Sequence, residues 1–112
     1  MTATQAALPL DDARPEWARD RIGRRWWKFH TDHPEVYDEL VRLAETARRA
    51  GRKRVGIGQL FEVLRWNTAL GDPAATYRLN NSYRALYVRL MRQRRPDLGR
   101  LFETRSRRSE AA

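Results

Sequence analysis

Residues 80–95 read NNSYRALYVRLMRQRR, and the reading of this stretch decides the fold. Tyr83, Leu86, Tyr87, Leu90 and Met91 stand at i, i+3, i+4, i+7 and i+8, the spacing of a helix that lays one face on a core. Asn80 or Asn81 can cap it, and Pro96 ends it. On a wheel of about 100° per residue with Arg84 at zero, the five apolar residues span about 200° to 340°. Arg84, Arg95, Arg92 and Arg89 fall at about 0°, 20°, 80° and 140°, so the arginines have their own face. Val88 falls among them near 40°, roughly, and Arg94 falls inside the apolar sector.

The stretch before it supplies further helices. In HPEVYDELVRLAETARRAG, residues 33–51, Val36, Leu40, Leu43 and Ala47 make an amphipathic stripe. Asp32 is the expected cap, with Pro34 in the first turn. Acids at 35, 38 and 39 and Arg48 and Arg49 at the far end suit the helix dipole, and Gly51 is a natural stop. A second stripe, Ile57, Leu60, Phe61, Leu64 and Thr68, predicts a helix that starts near 57–59 and ends before GDP at 71–73. An earlier helix is expected through PEWARDRIGRRWWKF, capped by Asp12, with Trp17, Ile22, Trp26 and Phe29 inward. Trp26 and Trp66 are expected in the core; Trp27, beside Trp26, is harder to bury with it.

The fold class expected is mainly α: a small helical domain, helix-turn-helix- or winged-helix-like, with little or no β. TYRL at 76–79 and LFETR at 101–105 are the candidate small strands. Residues 1–12 read as a flexible arm, 13–104 as one helical domain and 105–112 as a disordered basic tail.

Composition limits the chemistry. The 112 residues include no cysteine, which excludes disulfides and thiolate metal sites. The two histidines, His30 and His33, flank a helix boundary and read as packing or cap-region residues, so no metal or cofactor is expected. No serine–histidine–acid set, HExxH or phosphate-loop motif is present. The expectation is not an enzyme. Apolar clusters are broken by charge within a few residues, so no membrane span is expected.

Charge points to a polyanion. The net charge is +9, from 23 basic and 14 acidic residues. Five cations lie within residues 48–54, and ten arginines lie within 78–108. Arginine forks onto phosphate and guanine. The leading expectation is a small DNA-binding protein whose last helix lays its arginine face on duplex DNA. Its site residues are Asn81, Arg84, Val88, Arg89, Arg92 and Arg95, joined by Arg52, Lys53 and Arg54. Val88 would touch a thymine methyl, and Asn81 stands where a recognition helix meets bases. The alternative is a module that binds another protein through Trp27, Tyr87 and Arg65. A homodimer stays open.

The pattern His33–Pro34, Gly51, Arg65–Trp66, Asn80–Asn81, Tyr83, Tyr87, Arg89, Pro96 and Phe102–x–x–Arg105 resembles a family of small bacteriophage and prophage proteins. The resemblance spans about residues 30–105. It implies a phage origin, hence a bacterial host cytoplasm and, on the alternative reading, a host or phage protein as partner, and no particular chemistry. Arg65–Trp66 would end the second helix of the trio and Asn80–Asn81 begin the third. If the helices pack together, these ends converge, either to bind a partner or to lock the connector by hydrogen bonds.

Overall fold

Asp20 caps the first α-helix: its Oδ1 accepts a hydrogen bond from the Gly23 backbone N–H at 2.7 Å. This helix, α1, runs Arg21–Asp32. It starts later than its sequence suggests, because Pro15 opens a separate 3₁₀ turn, Glu16–Ala18. The computed structural model describes residues 14–71 and 79–102, so the expected cap Asp12 lies outside the described residues. The expected N-terminal arm and basic tail lie outside them too.

The 3₁₀ turn packs directly on α1. A Cβ at Gly23 would stand 2.6 Å from the Ala18 carbonyl carbon and 2.7 Å from its Cα. Alanine normally stabilises a helix interior by about 1 kcal/mol over glycine. Here backbone must move, so Gly23→Ala is expected to destabilise by about 1–3 kcal/mol. A lower urea midpoint checks this; a higher one would show that the turn yields freely.

Helix α2 runs Pro34–Arg49. Asp32 is the last residue of α1 rather than the cap of α2. Proline disfavours helical backbone in the residue before it, so His33 alone, at φ −133°, breaks α1 from α2. The end of α2 is as expected. Gly51 takes φ +88°. Its N–H donates to Arg48 O and the Arg52 N–H donates to Ala47 O, both at 3.0 Å, the paired closure of a Schellman motif.

Helix α3 is Ile57–Gly71. Leu60, Phe61 and Leu64 are buried, but Trp66 is 65% exposed. This corrects its expected place in the core. Two residues beyond Leu64 is about 200° around the helix, which turns Trp66 away from that core.

Asn80 is the cap at the next start. Its Oδ1 accepts from the Ser82 N–H at 2.9 Å and from Ser82 Oγ at 2.8 Å. A 3₁₀ turn, Asn81–Tyr83, leads into α4, Arg84–Arg94. The expected apolar face is present: Tyr83, Tyr87, Leu90 and Met91 are buried and Leu86 is partly so. Pro96 then opens a short helix, α5, Pro96–Gly99.

The order α2, α3, α4 is the trihelical plan expected, in a small, mainly helical domain. Among the described residues there is no strand; Val55 and Phe102 form one isolated parallel bridge. LFETR contributes that bridge, while its residues 103–105 and residues 76–78 of TYRL lie outside the described residues. At the centre, Trp26 meets the Tyr87 ring edge-on at 5.5 Å and stacks with Trp17 at 5.6 Å and His30 at 5.8 Å. His30 meets Tyr37 edge-on at 5.7 Å. This aromatic cluster ties α1 to α2 and α4.

Candidate nucleic-acid interface

The arginine face expected along α4 is divided in the folded protein. The chain after α4 turns back across it. A Cβ at Gly99 would lie 2.7 Å from Arg92 Cα, so α5 sits directly on that side of α4. Val88, expected to point at DNA, is therefore buried at 6% exposure within the core. Arg92 is drawn inward as well: Nη2 donates to Phe102 O at 2.9 Å and Nε to Gly99 O at 3.4 Å. These bonds satisfy carbonyls at the end of α5 and beyond it.

Arg95 is held between two carboxylates. It donates to Asp97 from Nε and Nη2 at 3.2 and 3.1 Å, and to Glu45 from Nη1 at 3.0 Å. The bonds to Asp97, then to Glu45, keep the guanidinium more firmly protonated than usual. Arg95 in turn holds the Asp97 carboxyl below the usual carboxylate range. Arg89 and Arg84 are exposed but lie elsewhere. Arg89 sits over the Trp17 ring at 4.8 Å. Arg84 donates from Nε to Asn81 O at 3.1 Å, with its guanidinium beside Gly58. Arg94 is exposed and lies over the Tyr37 ring at 5.4 Å.

The basic residues that do come together are at one end of the molecule. Arg48 Nη1 donates to Asp97 Oδ2 at 2.9 Å, linking the end of α2 to α5. The Val55 N–H donates to Leu101 O at 2.8 Å, linking the α2–α3 turn to the chain beyond α5. Residues 48–54 thus lie beside residues 92–102. Glu45, Arg48, Arg49 and Arg95 line an open cleft of about 350 Å³ there. Arg52, Lys53 and Arg54, expected in the site, are exposed on this end. Arg48, Arg49 and Arg100 join them and were not among the expected site residues. Their signal is in the sequence: Arg48 and Arg49 belong to the five cations of residues 48–54, although their place at the end of α2 also suits the helix dipole. Among the described residues, no hydrogen bond or ion pair engages the side chains of Arg49, Arg52, Lys53 and Arg100.

The second convergence expected, between Arg65 and the asparagines, is also formed. Arg65 donates from Nη2 to Asn81 Oδ1, and to Leu79 O at 3.1 Å. Its Nη1 pairs with Glu62 at 2.6 Å. Arg65 and Asn81 thereby tie α3 to the start of α4 rather than standing free for bases or a partner. Asn80, as the cap, is likewise structural.

Two expected contact aromatics are corrected. Trp27 is 4% exposed and Tyr87 is fully buried. Trp27 packs at a 5.6 Å centroid distance from Trp26 and 5.1 Å from His30. Trp26 reaches Tyr87 of α4, and Trp27 is buried beside it against Trp26 and His30 of its own helix. His30 is a packing residue and His33 pairs at the surface with Glu35 at 3.3 Å. Among the described residues no three histidines or carboxylates group to hold a metal ion. No described helix is long and apolar enough to cross a membrane. Comparison of the chain with protein-family models, curated proteins and solved structures gives no match.

Proposed function

We propose that the protein binds duplex DNA through the basic end formed by the α2–α3 turn and the chain around α5. The observation that carries this reading is the convergence of residues 48–54 with residues 92–102, which are distant in sequence. Arg48, Arg49, Arg52, Lys53, Arg54 and Arg100 are exposed there, while Glu45 and Asp97 are engaged by Arg95 and Arg48. Exposed guanidinium and ammonium groups displace counterions from the DNA backbone, which gives affinity without sequence selection. Arg92 and Arg95 shape the surface; Arg84 and Arg89 lie outside it. A bacterial cytoplasm and a phage origin remain part of the proposal.

The test is binding of a fluorescent random duplex by the quadruple variant Arg49/Arg52/Lys53/Arg100→Ala. Affinity is expected to fall about 10- to 100-fold at moderate salt with the fold intact. Wild-type affinity in a folded variant would remove the assignment.

A protein-interaction reading is favoured by one observation. Val63, Trp66 and Leu70 are 39%, 65% and 66% exposed along the outer side of α3. Large aromatics of this kind anchor protein interfaces. On this reading a nuclease-treated bacterial lysate yields a partner that Trp66→Ala no longer retains, and DNA affinity is absent.

A further inference from the structure

The outward face of α1 is cationic along most of its length. Gly23, Trp26, Trp27 and His30, at i, i+3, i+4 and i+7, are buried. Arg21, Arg24, Arg25 and Lys28 repeat the same spacing two residues earlier, and all four are exposed. A shift of two residues is about 200° around a helix, so the second set lies opposite the core. The four cations fall within a sector of about 100° and extend over about 10 Å of helix.

Little nearby charge opposes them. Lys28 pairs with Asp32 at 3.1 Å, with both side chains more than half exposed. Asp20 is occupied as the cap of α1. Among the described residues, no hydrogen bond or ion pair engages the side chains of Arg21, Arg24 and Arg25. Arg21 with Arg25 and Arg24 with Lys28 are like-charge pairs at i, i+4, a spacing that destabilises a helix in isolation. An external polyanion relieves that repulsion. A bilayer suits the face less well, because a helix that lies in a membrane needs a free apolar side. The apolar side of α1 is in the core, and within α1 Ile22, at 38% exposure, is the one large exposed apolar residue.

We propose that this face of α1 is a second phosphate-contacting surface for duplex DNA, distinct from the basic end at the α2–α3 turn. The proposal rests on the DNA-binding reading and adds a contact to it. Along about 10 Å of axis a duplex presents about six phosphate charges, enough for four side chains. Asp32, at the end of the same face, is paired with Lys28, so Arg21, Arg24 and Arg25 carry most of the contact; cations set on phosphate add affinity without reading sequence.

The test compares four proteins across a salt series with a fluorescent random duplex: wild type, Arg21/Arg24/Arg25/Lys28→Gln, the basic-end variant Arg49/Arg52/Lys53/Arg100→Ala, and the milder Arg24/Arg25→Gln. Circular dichroism checks that each is folded, and the double variant serves if the quadruple α1 variant is not. The expected result is a log–log salt slope shallower by about 3–4 for the quadruple α1 variant and by about 2 for the double. Wild-type slope and affinity in the folded α1 variants, with binding lost in the basic-end variant, overturns this inference and leaves the DNA-binding reading standing. No binding by the wild type overturns both.

Discussion

Trp26→Ala is expected to destabilise the protein by about 3–5 kcal/mol, the range for removing a large aromatic from a packed core. Trp26 is fully buried and sits between Trp17, Trp27, His30 and Tyr87. Its loss opens a cavity where α1 meets α4, and it also strips Trp17 of its stacking partner. A domain of this size has about 5–15 kcal/mol in total, so much of the variant is expected to unfold on mild warming. Trp66→Ala is the paired control. Trp66 is 65% exposed, and surface substitutions of this kind cost about 0.5 kcal/mol or less. Urea unfolding of both variants measures the contrast. Equal losses would mean that Trp66 is covered in the folded protein.

The second large effect is on pH. Burial first, and the charge of Arg94 second, lower His30 from its ordinary value to about 4. The folded state holds this imidazole neutral, whereas an unfolded chain protonates it near 6.5, roughly. Above that unfolded value neither state binds the proton, and His30 has no effect on the pH dependence. As pH falls from about 6.5 to 4, the unfolded state gains a proton that the folded state refuses, so stability declines. The total is about 3 kcal/mol by linkage. Below that window the carboxyl of Asp97, whose folded value is lowered, adds its own loss as it protonates. Urea midpoints at pH 7 and pH 4.5 give the size of the decline, and the His30 imidazole resonances give its titration directly. Titration near 6.5 in the folded protein would contradict the burial.

The helices were legible because their signals are local. The stripes of α2 and α4, the stop at Gly51 and the cap at Asn80 depend on spacing and on single-residue backbone preferences. Structure departs from sequence pattern where packing decides. Val88 lies on the polar side of the α4 wheel, but the wheel holds no information about α5, which folds back over that side. Adjacent residues point about 100° apart on a helix, yet Trp26 and Trp27 are both buried, with His30 against both rings. Arg92 and Arg95 are indistinguishable in sequence from solvent-facing arginines; Phe102 O and the carboxylates of Glu45 and Asp97 determine their roles. The adjacency of residues 48–54 to residues 92–102 is a tertiary fact of the same kind, carried by Arg48–Asp97 and Val55–Leu101. The outer face of α1 is different. Its 3–1–3 spacing of cations is as local as any core stripe and becomes visible as soon as Asp20 is taken as the start of the helix.

Amide chemical shifts followed during titration with a short random duplex test the proposed DNA interface most directly. Perturbations are expected to concentrate in residues 48–54 and 97–102, with a second set at residues 21–28 of α1, to shrink as salt is raised, and to spare residues 63–70 of α3. Silence at residues 48–54 and 97–102 under saturating duplex, or the absence of any perturbation at low salt, would contradict it.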